Sequence, residues 1–233
     1  MIEMLGLPAA STYAKDIDQV FSVIFWIVGA WFLLAEGVFF YLILRFRKKA
    51  GVKAQYITGE LKSEKRWITI PHNLILIFDI IILVFAVKVW YAVKQNLPDA
   101  PDKRIVRVIA QQWAWTFVDP GADGKLDTPD DIAKVGEMHV VVDKIHHFKL
   151  ESKDVLHSFS VPVFRLKQDV IPGRVITGWF TPTMTGTYDI QCVEICGIGH
   201  ALMPAKIVIE TAEQHAAWVA QNSNLAVASA TAR

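Results

Sequence analysis

Two long apolar runs followed by a series of short alternating ones divide this chain of 233 residues. Residues 20–44, VFSVIFWIVGAWFLLAEGVFFYLIL, hold a single acid, Glu36. Residues 67–91 form a second run interrupted by Asp79 and Lys88, with Pro71 in its first turns, where a missing N–H is tolerated. Each run is long enough to cross a hydrocarbon core of about 30 Å as a helix. The pattern predicts a two-helix transmembrane hairpin in which Lys88 snorkels to the interface and Asp79 faces protein instead of lipid. Glu36 reads as a hydrogen-bonding partner for a neighbouring helix.

Between the runs, Arg45, Arg47, Lys48, Lys49, Lys53, Lys62, Lys65 and Arg66 are opposed only by Glu60 and Glu64. The excess of positive charge assigns this loop to the cytoplasm, or to the matrix if the source is organellar, and both termini to the outside. The first nineteen residues lack the basic start of a secretory signal, so the first run reads as a retained anchor, allowing for processing of a few N-terminal residues.

After Asn96-Leu97-Pro98-Asp99-Ala100-Pro101 the pattern changes. RIVRVIA, TFV, HVVVD, HHFKLES, VLHSFSV, RVITGWF, TYDIQC and AKIVIE are rich in β-branched and aromatic residues and are separated by Gly, Pro and Asp turns. Many short strands at this spacing predict an all-β sandwich or Greek-key barrel. The expected organisation is residues 1–96 for the N-terminal segment and hairpin and 97–233 for the strand domain. Thr211 and Gln214 form a capping box opening a short C-terminal helix, with residues 224–233 frayed beyond it. Residues 119–131 are acidic but lack the spacing and closing Glu of an EF-hand, and are read as a solvated hairpin. In Gln111-Gln112-Trp113-Ala114-Trp115, alternation on a strand puts both tryptophans on one face.

Composition supports the membrane reading: 53% of residues are apolar and eight are tryptophan. The net charge of +1 is uninformative as a sum, but residues 95–233 hold 13 Lys and Arg against 16 Asp and Glu, which suits a basic partner. No nucleic-acid partner is expected. His72, His139, His146 and His147 match no ligand pattern and are read as structural.

The only two cysteines lie in Cys192-Val-Glu-Ile-Cys196-Gly-Ile-Gly-His200-Ala-Leu-Met203. Two thiols, an imidazole and a thioether within a dozen residues are soft or borderline donors that suit copper. Zinc competes, although the thioether argues against it. A mononuclear blue-copper site needs only one thiolate. Two thiols could bridge two coppers, or they could form a disulfide, which would leave His200 and Met203 unexplained.

The run CVEICGIGHALM, the upstream LHSFSVPVFRLKQDVIPG and the aromatic QQWAW resemble subunit II of cytochrome c oxidase, and the match extends over nearly the whole chain, both apolar runs included. The resemblance implies a cupredoxin-like strand domain and a binuclear CuA centre held by His157, Cys192, Cys196, His200, Met203 and the backbone carbonyl of Glu194. It implies that the Glu194 carboxylate helps to bind magnesium at the contact with subunit I, and that Trp113 is the aromatic through which electrons enter. The segment Glu64-Lys-Arg-Trp67-Ile-Thr-Ile-Pro71 is similar to the family's span entry, where the glutamate is associated with the mouth of a proton channel. Lys167-Gln-Asp169-Val-Ile-Pro172-Gly173 resembles a segment near the subunit I contact and is otherwise a tight turn. No haem attachment motif is present, so haem belongs to a partner subunit.

The implied activity is proton-translocating cytochrome-c oxidase. Electrons from cytochrome c or a similar donor pass through this subunit to subunit I and the other oxidase subunits. The implied location is the bacterial inner membrane, with both termini and the strand domain on the periplasmic side. A quinol oxidase subunit would lack the copper ligands. A CuA subunit of a haem-copper nitric oxide reductase and a membrane-tethered copper carrier remain as alternatives.

Overall fold

The computed structural model describes residues 6–53 and 56–231, with side chains to residue 223. Residues 1–5, where N-terminal processing would fall, 54–55 and 232–233 lie outside the described residues. The chain forms two compact units. One is Asp18–Tyr91; the other combines the segment up to Ile17 with everything from Ala92 onward.

The first unit holds all but the first turn of helix α1 (Ala14–Arg45) and all of helix α2 (Lys62–Trp90), which continues as a wider turn over Tyr91–Gln95. At 1.5 Å per residue, helices of 32 and 29 residues extend for about 48 and about 44 Å, more than the hydrocarbon thickness. Their most apolar stretches bury nothing within the chain. Trp26, Leu33, Leu44, Leu83 and Val84 stand exposed, an apolar surface that water would not tolerate and lipid or a partner helix would. Trp31 meets Phe78 edge to face across the pair. Glu64 caps α2: its carboxylate accepts from the backbone N–H of Gly59 (3.0 Å) and of Leu61 (3.4 Å).

The second unit is the expected all-β architecture, built as two five-stranded sheets. One contains β1 (Arg104–Gln111), β2 (Ala114–Asp119), β3 (Ile132–Val135), β5 (His146–Ser152) and β8 (Ile176–Phe180), in the order 3-2-1-5-8. The other contains β4 (Glu137–Val141), β6 (His157–Val161), β7 (Leu166–Val170), β9 (Gly186–Cys192) and β10 (Ala205–Glu210), in the order 4-10-9-6-7. Alternating positions of β1 (Val106, Val108, Ala110) and of β10 (Ala205, Ile207, Ile209) turn inward, as the period of two requires. Trp115, Phe148, Phe159, Phe164 and Phe180 fill the space between the sheets.

The chain before α1 joins this unit. Ala10 donates to the carbonyl of Val163 (2.8 Å), Thr183 donates to Ala10 (2.9 Å), and the Arg165 guanidinium reaches the carbonyls of Leu7 and Pro8. The grouping of residues 1–96 therefore gives way to one in which the segment before the first helix packs on strands far along the chain. Most of these contacts have a backbone group on at least one side, and their partners lie more than 150 residues away, so nothing local in the sequence marks them.

Several local elements also differ from the sequence pattern. Trp113 is not on a strand beside Trp115: Gln112 and Trp113 form the two-residue turn between β1 and β2, leaving Trp113 37% exposed and Trp115 1%. Lys167 and Asp169 lie on edge strand β7, so only the residues around Pro172-Gly173 turn, closed by Arg174 N–H to Ile171 O. Asp119 belongs to the interior instead of the acidic loop; it is 4% exposed and ion-paired with Arg104 at 2.7 Å. The capping box holds, with Gln214 N–H on Thr211 Oγ1 and Thr211 N–H on Gln214 Oε1, but helix α3 (Ala212–Thr231) continues through the stretch expected to fray. Alanines recur through residues 226–230, and alanine is the strongest helix former.

His146 gives the strand unit a pH dependence. It is fully buried on β5, its Nε2 lies 3.1 Å from both N and O of Val141, and burial lowers its pKa to about 3. An unfolded chain takes up this proton near pH 6.5 while the folded chain refuses it until about 3, so stability falls as pH drops through that window. The slope from this one group is at most about 1.4 kcal/mol per pH unit. Denaturant titrations of the full chain at pH 7 and pH 5, two units apart, are expected to differ by up to about 2 kcal/mol from this group, and a His146→Leu variant to show a smaller difference.

Candidate metal centre

Strand pairing brings the site together. β6 lies antiparallel to β9, with Phe159 opposite Cys192 and Val193 N–H donating to Ser158 O, so His157 at the start of β6 reaches the loop leaving β9. That loop runs through a short 3-10 turn at His200–Leu202 and re-enters the sheet as β10, the other neighbour of β9. Both ends of the loop are thus fixed to one rigid strand.

All the side chains named as copper ligands converge there. Cys192 Sγ lies 3.9 Å from Cys196 Sγ, 3.9 Å from His157 Nδ1 and 3.3 Å from the Glu194 carbonyl oxygen. Cys196 Sγ lies 3.5 Å from His200 Nδ1 and 3.4 Å from Met203 Sδ. The two thiols are free, well beyond the roughly 2.05 Å of a disulfide. His157, Cys192 and Cys196 offer ligand atoms all within 4.8 Å of one another, the arrangement of a metal site. At zinc-like bond lengths of about 2.3 Å to sulfur and about 2.0 Å to nitrogen, donors around one tetrahedral ion stand roughly 3.5–3.8 Å apart, close to the 3.4–3.9 Å seen here. The donor set fits a soft or borderline ion.

His157, Cys196 and Met203 are buried, while Cys192, Glu194 and His200 are half-buried. Burial, reinforced by the adjacent Cys192 sulfur, pushes the Cys196 thiol up to about 11, so a metal entering here displaces a held proton. Glu194 turns its carbonyl towards Cys192.

Trp113 sits on the ligand loop. Its Nε1 donates to Cys196 O (3.3 Å), and the Gln112 amide donates to the same oxygen (2.8 Å). The ring occupies the space over Gly199, where an added Cβ would lie 2.4 Å from Trp113 Cδ2. Glu64 lies on α2 in the other unit. Sequence reasoning did not single out Asp154, whose carboxylate contacts His157 Nε2 at 2.9 Å, nor Gln112 as a bridge to Cys196. An acid three positions before a ligand histidine was the available signal for the first; the second acts partly through its backbone and left none.

A membrane-type helix pair joined to a strand unit whose adjoining loops gather two free thiols, two imidazoles and a thioether defines a membrane-anchored metalloprotein with a sulfur-rich site suited to copper. Residues 104–212 match the family described as cytochrome C oxidase subunit II, periplasmic domain. The chain is 32% identical to the alternative cytochrome c oxidase subunit 2 of Bradyrhizobium diazoefficiens, over 90% of this chain and 81% of that one. It is 30% identical to cytochrome c oxidase subunit 2 of Thermostichus vulcanus, over 94% and 79%. Among solved structures, the periplasmic domain of subunit II of cytochrome oxidase (CoxB) of Bradyrhizobium japonicum aligns with 55% of this chain and 98% of its own at 28% identity, with a TM-score of 0.49. The chain belongs to the cytochrome c oxidase subunit II family.

Proposed function

We propose that this chain is the electron-accepting subunit of a bacterial cytochrome c oxidase. It takes electrons from cytochrome c on the periplasmic side of the inner membrane and passes them to a haem-copper subunit I, which reduces oxygen to water with proton pumping. The observation that carries this reading is the convergence of two unbonded thiols with His157, His200 and Met203 on loops braced by β6, β9 and β10.

Cys192 and Cys196 would hold a binuclear CuA centre between them, with His157 and His200 as terminal ligands and Met203 and the Glu194 carbonyl as weaker ones. Bound copper would supply a one-electron couple at this position. The chain's own part is to keep the donors where they are: strand anchors limit their movement, and burial of His157, Cys196 and Met203 excludes water from one side. Trp113, part-exposed and hydrogen-bonded to Cys196 O, offers an aromatic path from the surface to the ligand loop. The Glu194 carboxylate is a hard oxygen donor suited to magnesium at the contact with subunit I. Glu64 caps α2 on the side of the basic loop and is proposed to stand at the mouth of subunit I's proton channel.

The test is purification of the full chain in its oxidase complex. The expected result is two coppers per chain, one electron spin shared over both, and oxygen consumption with reduced cytochrome c. A single copper with a mononuclear type-one spectrum would overturn it.

A further inference from the structure

We propose that Asp154 is a positioning residue for the copper site: it sets the tautomer of His157 and ties that ligand to the turn carrying Trp113. The inference rests on the copper reading above for its consequence, but the tautomer can be measured without metal. Asp154 Oδ1 lies 2.9 Å from His157 Nε2 and accepts the Val155 N–H at 2.7 Å, while Oδ2 accepts the Gln112 N–H at 2.6 Å. Every group presented to the carboxylate is therefore a donor, and the proton of neutral His157 belongs on Nε2. That leaves Nδ1, the nitrogen facing Cys192 Sγ, with a bare lone pair. A metal ligand needs this tautomer, since a protonated Nδ1 has no lone pair to give.

The second oxygen extends the link. Gln112, held by its backbone N–H on Asp154, donates its side-chain amide to Cys196 O, so one residue spans the loop of His157 and the loop of the thiols. Trp113 follows it and donates to the same carbonyl. Asp154 thereby fixes both a ligand and the aromatic turn against a common frame. The position itself is braced by Ser152, whose Oγ accepts the Asp154 N–H at 3.3 Å.

An amide cannot replace the carboxylate. Asparagine has one acceptor oxygen and one donor nitrogen, so an Asp154→Asn variant satisfies His157 or Gln112 but sets N–H against N–H at the other. Asp154→Glu keeps two acceptor oxygens. The experiment uses the full chain, 15N-labelled at histidine, and reads the protonated ring nitrogen of His157 by NMR before copper is added. It then measures copper retention against a chelator and the EPR spectrum. Wild type is expected to carry the proton on Nε2. Asp154→Asn is expected to populate the Nδ1-protonated form and to retain copper about 10–100-fold more weakly, with Asp154→Glu restoring the wild-type tautomer.

A wild-type Nδ1 proton overturns the proposal, even if no variant folds. An Asp154→Asn chain with wild-type tautomer, retention and spectrum overturns it as well. Failure of the wild type to bind two coppers would instead remove the copper reading, while the metal-free tautomer still decides the role of Asp154.

Discussion

The Cys196→Ser variant is expected to leave the strand unit folded while copper content falls from two per chain to one or none. Turnover of the complex with cytochrome c should drop by about 100-fold or more, since losing a donor to the metal costs more than the roughly 10–100-fold of losing an outer partner. Cys196 is the centre of the cluster: its sulfur approaches the sulfurs of Cys192 and Met203 and the Nδ1 of His200, and it is 3% exposed. A serine hydroxyl is hard, stays protonated and is a poor donor for copper, so it neither bridges nor holds a single ion well. Burying it costs about 1–3 kcal/mol, which circular dichroism and a melting curve would register as a modest loss of stability. Met203→Leu makes the contrast. It removes a weak donor of similar volume, and is expected to keep both coppers while shifting the reduction potential. Wild-type copper content and turnover in Cys196→Ser would show that this thiol is not a ligand.

What could be read from the chain and what could not divide along physical lines. The long apolar runs announce α1 and α2 because crossing lipid demands about twenty consecutive apolar residues. Most strands announce themselves by alternation, as in RIVRVIA and AKIVIE. The two strands that escaped, β3 and β7, are edge strands of four and five residues whose sequences, IAKV and LKQDV, carry polar side chains outward. The loop that gathers these side chains was legible because two thiols, an imidazole and a thioether within twelve residues form a soft donor set. Its supporting contacts were not. Asp154 and Gln112 act across 42 residues through a backbone N–H. The ion-pair chain His139–Glu210–His215–Asp119, buried except at Glu210, draws on β4, β10, α3 and β2. Nothing local in the sequence marks such partners, because only the fold makes them neighbours.

The Gly199→Ala variant is expected to lower stability by about 1–3 kcal/mol and to slow electron entry from cytochrome c by about tenfold, with both coppers retained. Gly199 has φ −91° and ψ 13°, a backbone conformation open to alanine, so the cost lies in space alone. An added Cβ would stand 2.4 Å from Cδ2 and 2.7 Å from Cγ of Trp113, inside the ring's contact distance. The ring cannot yield freely, since its Nε1 is tied to Cys196 O and Gln112 before it is held on both ligand loops. Gly197 would be a poorer probe: its φ of +124° strains any side chain whatever the ring does. Placing Gly199→Ala in a Trp113→Ala background separates the two effects. The stability cost should vanish there, because the clashing atoms are gone, while electron entry stays slow, because the aromatic bridge is gone too. If electron entry in Gly199→Ala matched wild type despite the loss of stability, the position of the Trp113 ring over the ligand loop would not matter to the route electrons take.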